Sequence, residues 1–153
     1  GCGLIGKHAA CQLRGNVYWM GRSNFFQLAG QGVQPINCPV WDAVFQDLDT
    51  ANIHKCVAAP NTPFNEVFFF YPSISGGTGE CDKYVKFNTE ENTWDTGVLP
   101  RSAWADQSVV GQPVGASPQG VIYQHETTNN ADGSPLNPVM QTGYWMLAEG
   151  ESI

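Results

Sequence analysis

Charge is what this sequence has least of. Asp, Glu, Lys and Arg make up 14% of its 153 residues, against about 25% in an ordinary globular domain. Basic residues are the scarcer half, 7 Lys and Arg against 14 Asp and Glu, for a net charge of −7. A duplex-DNA binder needs cationic surface to release counterions, and no basic run occurs in the chain. Sequence-reading DNA binding is therefore excluded. DNA passing nearby is not, because a repulsive wall lets it slide without sticking. Long apolar runs are also lacking. The longest, Val67–Tyr71, falls far short of the roughly 18 residues of a membrane helix and is expected to be a strand. The opening Gly1-Cys2-Gly3-Leu4-Ile5-Gly6 has neither the Met nor the apolar core of a signal peptide.

Metal and redox motifs are missing too. The five cysteines (Cys2, Cys11, Cys38, Cys56, Cys81) are an odd, widely spaced set without a CxxC pair. A zinc ribbon or a thioredoxin-like site does not fit this spacing. We expect small buried thiols in a reducing compartment, with one disulfide as the alternative. His8, His54 and His125 are far apart, and His8 with Cys11 makes only two ligands where zinc wants four. No GxSxG or Walker A pattern occurs. Gly1, Gly3 and Gly6 fit GxGxxG literally, but no helix-like run follows and no βαβ pattern exists. Candidate acid/base carboxylates are poorly placed for glycoside hydrolysis. Glu90 and Glu91 are adjacent in a turn, Asp47 and Asp49 flank a helix end, and Asp42 and Glu66 sit where structural roles suffice. Arg14, Arg22 and Arg101 are too few for a sialidase-type cluster, and Asn130-Ala131-Asp132-Gly133 is a single hairpin turn. We therefore expect no catalytic centre, no metal and no cofactor.

What the chain has is aromatics, 12% of residues, with 17 Gly and 10 Pro. Such a composition excludes a charged disordered tail and a coiled coil, and it fits an all-β protein of short strands and tight turns. Three segments open alike: Gly15–Met20, Asn65–Tyr71 and Gln119–Gln124. Each places a turn residue before Val and then β-branched or aromatic residues, the pattern of a strand. A second strand follows in each unit, at Asn24–Leu28, Lys83–Asn88 and Gln141–Leu147. Val17, Val67 and Val121, taken as equivalent, recur at a spacing that suits propeller blades. The units are then about 14–62, 63–112 and 113–153, in a single domain covering 1–153. One segment differs: Trp41, Val44, Phe45 and Leu48 lie at i, i+3, i+4 and i+7, which predicts a helix of about two turns over 40–48.

Phe87-Asn88-Thr89-Glu90-Glu91-Asn92-Thr93-Trp94-Asp95-Thr96-Gly97 resembles a kelch-type propeller blade: strand, Asn-containing turn, Trp-bearing strand. Other phrases widen the resemblance: Gly1–Gly6 with Val17–Met20, Pro39–Phe45, Phe64–Ser73 and Arg101–Asp106. Together they resemble structural tail proteins of tailed bacteriophages, of the tail hub or nozzle and packaged-DNA stabilisation type. The resemblance covers most of residues 1–106 and weakens after about 125. It implies a propeller-like virion protein, made in the host cytoplasm. It would form a homo-oligomeric ring with other tail proteins around the DNA exit channel. Three blades cannot close a ring of at least four, so an incomplete propeller is expected, and the absence of Met at position 1 suggests a piece of a longer protein. Low charge and many aromatics suit subunit packing.

Trp19, Trp41, Phe45, Phe69, Trp94, Trp104 and Trp145 are the expected structural core. The rival reading is a carbohydrate- or receptor-binding propeller, an adhesin, in which Trp104 and Tyr123 stack on sugar rings. A weaker rival is an enzyme on the same scaffold, which would bring two carboxylates into one pocket.

Overall fold

A computed structural model describes residues 1–109, 111–131, 133–135, 139, 146–148 and 151–152. Among the described residues the fold is all-β apart from one short α-helix and two 3-10 turns. Its strands form consecutive up-and-down antiparallel sheets. Sheet 1 contains β1 (Ala10–Leu13), β2 (Asn16–Met20), β3 (Phe25–Ala29) and β4 (Gly32–Ile36). Sheet 2 contains β5 (Val57–Asn61), β6 (Glu66–Pro72), β7 (Cys81–Asn88) and β8 (Thr93–Val98). Sheet 3 contains β9 (Ala103–Ala105), β10 (Val114–Ala116) and β11 (Ile122–Gln124). Two short ladders follow, β12 (Asn130–Ala131) with β13 (Ser134–Pro135), and β14 (Met146–Ala148) with β15 (Glu151–Ser152). Among the described residues the sheets close neither into a barrel nor into a propeller ring.

The turns follow from local chemistry. Leu13 pairs with Asn16 across Arg14-Gly15, both at positive φ (48° and 86°). Two left-handed residues in a two-residue loop match the twist of the flanking strands. The β7–β8 loop is held by Asn88, whose Oδ1 accepts from the N–H groups of Glu90 and Glu91 at 3.0 and 2.9 Å. Asn92 completes it at φ 57°, a conformation Asn tolerates. Pro35 sits on β4, an edge strand, where a missing N–H breaks no ladder.

β6 lies at the centre of the packing. Six of its seven residues are buried, so both faces of sheet 2 are covered. Val67, Phe69 and Tyr71 point to one side and join Tyr18, Met20 and Phe25 of sheet 1 in the main core. Phe68 and Phe70 point to the other side and pack on Trp104 of sheet 3. The first strands of sheets 1 and 2 also meet. His8 bridges Val57 in parallel, and the Ala58 N–H donates to the His8 carbonyl at 2.8 Å.

Several expectations need correction. The predicted 40–48 helix is only α1 (Trp41–Phe45). It stops because Asp47 and Leu48 pair elsewhere: Leu48 bridges Ser73, and the Asp47 carbonyl accepts from the Ile74 N–H at 2.7 Å. The Asp47 carboxylate is also held by Ser75 and Lys83. Trp41, expected in the core, is 39% exposed. It opens the helix, stacks on Phe45, and donates its indole N–H to the Ser23 carbonyl at 2.8 Å, so it clamps the surface instead. Trp19 and Phe69 are buried, while Phe45, Trp94 and Trp104 are half-buried. Trp145, Asp132 and residues 141–145 of the third expected strand pair lie outside the described residues.

The repeat register also shifts. Val17 and Val67 lie in the second strands of their sheets, but Val121 precedes the third strand of sheet 3, whose second strand is β10. The sheets therefore span 10–36, 57–98 and 103–124, and the unit limits drawn at 62/63 and 112/113 each cut through a sheet or its opening strands.

The left-handed Asn65 (φ 58°) ends the β5–β6 connection. Asn65→Val is expected to cost about 1–2 kcal/mol through the Cβ penalty of that conformation, and Asn65→Gly less, measured as urea-unfolding midpoints.

Candidate functional site

Sheets 2 and 3 do not pack evenly. Trp104 on β9 reaches sheet 2, and beside it a cleft of about 640 Å³ opens between the sheets. Its wall includes Phe68, Tyr84, Arg101, Trp104, Tyr123 and His125. That volume is typical of a small-ligand pocket. The strand register builds it. Trp104, Gly115 and Tyr123 stand opposite one another across β9, β10 and β11, so they share one face of sheet 3.

Gly115 occupies the middle of that face for a steric reason. A Cβ there would lie 2.8 Å from Arg101 Cδ and 2.9 Å from His125 Nε2. The bare backbone leaves room for an Arg–His pair, in which Arg101 Nε donates to His125 Nε2 at 2.9 Å. His125 must then be neutral, with its own proton on Nδ1. The guanidinium lies 4.3 Å from the centre of the Tyr123 ring, and the imidazole packs on Trp104 at 4.6 Å.

The electrostatics agree with a neutral imidazole. Burial first, and the Arg101 charge second, hold the His125 pKa down from 6.5 to about 4. An unfolded His titrates near 6.5, so the unfolded chain takes up the proton first as the pH falls. The stability that His125 contributes is thus complete above about pH 6.5 and is lost as the pH drops toward 4. The thermal midpoint is expected to fall over that window, and the fall should be smaller in His125→Gln. In ring-proton NMR the imidazole should stay neutral until about pH 4; titration near 6.5 would contradict the buried pair.

The residues named as sugar-stacking candidates, Trp104 and Tyr123, do meet in this cleft. Their rings are not free platforms. Trp104 packs against Phe68 and Phe70 as well as His125, and its indole N–H donates to the Pro60 carbonyl at 2.9 Å. Tyr123 already carries Arg101. Trp104 is thus the peg that pins sheet 3 to sheet 2.

The other candidates disperse. Glu90 and Glu91 are exposed in the β7–β8 loop, Asp42 lies in the first turn of α1, and Asp49 accepts from the Ala51 N–H and the Asn52 amide. Glu66 pairs with Lys86 at 2.8 Å. Glu66 and Glu126 both accept from the Asn61 amide, at 3.2 and 3.3 Å. Among the described residues no cluster of three or more His, Cys, Asp or Glu could hold a metal. The cysteines are all free thiols. Burial is the main reason that the pKa values of Cys56 and Cys81 rise to about 12, so neither is a thiolate nucleophile at neutral pH. Among the described residues no helix is long and apolar enough to cross a membrane.

The Arg101–His125–Gly115 grouping was hidden in the sequence. Arg101 and His125 are 24 residues apart. The one local signal was Gly115 inside a strand, which marks a close approach of neighbouring groups. No protein-family model matches the chain, and no curated protein sequence matches it.

Proposed function

We propose that this protein is a non-enzymatic structural component of a phage tail, built from blade-like sheets that assemble face to face around the DNA exit channel. The observation that carries this reading is the face of sheet 3 that the described residues leave exposed. Sheet 2 is covered on both sides, by sheet 1 and by Trp104. The far face of sheet 3 carries two cross-strand rows turned away from Trp104, Ala103–Ala116–Ile122 and Ala105–Val114–Gln124. Ile122 is 71% exposed. An apolar sheet face of this kind suits the next sheet of a stack.

Three further features support the reading. Each of the first two sheets is a four-stranded meander, the form of a propeller blade, and their first strands meet in parallel through His8 and Val57. The resembling phrases lie where the sheets lock together, Phe64–Ser73 along β6 and Arg101–Asp106 along β9. The net charge of −7 suits a wall past which DNA slides.

Native mass spectrometry of the purified protein tests the assembly. Oligomers are expected for the wild type, and Ile122→Asp, on the open face, should shift them to monomer with the thermal midpoint kept. A wild-type monomer at all concentrations would contradict assembly through this face.

A further inference from the structure

Among the described residues Arg101 is a buried cation without a counter-ion. It is 6% exposed, yet it takes part in no ion pair with a described carboxylate. Its Nε donates to neutral His125 and its Nη1 to the Pro100 carbonyl at 2.6 Å. A guanidinium carries five N–H donors, so three find no acceptor among the described residues. Burying a charge is costly unless a partner compensates it. Here burial lowers the Arg101 pKa, and among the described residues the Tyr123 ring and a carbonyl compensate it. The other cation of the cleft, Lys86, is already committed to Glu66 at 2.8 Å and Asp95 at 3.7 Å.

The position of Arg101 is built. Gly115 clears the space beneath it, His125 orients its Nε edge, and Tyr123 fixes the plane of the guanidinium. The free edge belongs to the wall of the 640 Å³ cleft. From these observations we infer that the cleft between sheets 2 and 3 is a binding site for a small polyhydroxylated carboxylate of the sugar-acid class, with the carboxylate seated on Arg101.

The charge count selects the class. One uncommitted guanidinium matches one carboxylate, for which its planar fork is suited. A doubly charged phosphate would meet the same cation while facing Glu126 in the same cleft and a chain of net charge −7. Among the described residues the remaining polar wall is neutral: Thr127, Thr128 and Asn130 can give and accept hydrogen bonds with hydroxyl groups. Tyr84, packed edge-on against Phe68 and Phe70, adds part of its ring to the same wall. The site does not depend on the virion reading, because it uses the inner face of sheet 3 and leaves the open face untouched.

The test is a titration of 15N-labelled protein followed by NMR, reading the Trp104 indole N–H, with D-glucuronate, D-glucose and inorganic phosphate as probes. Glucuronate is expected to shift that signal saturably, and glucose and phosphate are not. Arg101→Gln should weaken glucuronate by at least about tenfold. Arg101→Lys keeps the charge but not the fork and should fall between the two. Thr127→Val, at an exposed position of the same wall, should weaken binding about threefold. A glucuronate-ended oligosaccharide separates the sources of the carboxylate: tighter binding than the monosaccharide points to a glycan, equal binding to a free sugar acid. Absence of a saturable glucuronate shift in the wild type would overturn the site. So would phosphate binding as well as glucuronate, or unchanged binding by folded Arg101→Gln.

Discussion

Phe25→Ala is expected to lower the stability of the whole protein by about 3–5 kcal/mol, the range for emptying a large aromatic site in a core. Phe25 is fully buried where sheet 1, sheet 2 and α1 meet. Its ring centre lies 4.9 Å from Phe69, 4.9 Å from Trp94 and 5.3 Å from Phe45. Truncation opens a void that these neighbours cannot fill, because each is fixed by its own strand or helix. Trp94 is further tethered by its indole N–H to the Asn37 carbonyl at 2.9 Å. The loss should appear as a lower urea midpoint with an unchanged slope. A shift worth less than about 1 kcal/mol would mean that the sheets do not meet at Phe25.

Trp104→Ala should act differently, in place more than in size. Its expected cost is about 3 kcal/mol, at the low end for Trp→Ala because the ring is only half-buried. The substitution removes the contacts to Phe68 at 5.6 Å, Phe70 at 5.9 Å and His125 at 4.6 Å, and it frees the Pro60 carbonyl. Sheet 3 has three short strands and little other cover, so it should open locally while sheets 1 and 2 hold together. Hydrogen exchange reads this directly. Amides of β9, β10 and β11 should lose protection, and those of β2, β6 and β7 should keep theirs. Uniform loss across all sheets would contradict the peg role of Trp104.

These two sites also separate what was legible in the sequence from what was not. β2, β3, β6, β7 and β8 announce themselves through Val, Phe, Tyr and Trp. β1, β4, β5 and β10 do not: Ala10–Leu13, Gly32–Ile36, Val57–Asn61 and Val114–Ala116 are rich in Ala, Gly or Pro. Such residues are poor strand formers, and it is pairing with a strong neighbour that makes them strands. Val121 is not equivalent to Val17 and Val67 for this reason: β10, the second strand of sheet 3, carries no such signal. The helix 40–48 was read too long because the i, i+4 pattern cannot register that Leu48 bridges Ser73. The site was less legible still. Trp104 and Tyr123 stood out as aromatics, but their neighbours in space come from β6 and from Arg101. The need for Gly115 exists only once Arg101 and His125 are folded over it.

The proposed role of the stacked sheets in a phage tail is tested most directly by quantitative mass spectrometry of purified tailed particles from the source of this sequence. The chain is expected in several copies per particle, cross-linked to other tail proteins through Ile122 and its neighbours on the exposed face of sheet 3. Particles in which capsid and tail proteins are detected and this chain is absent would contradict it.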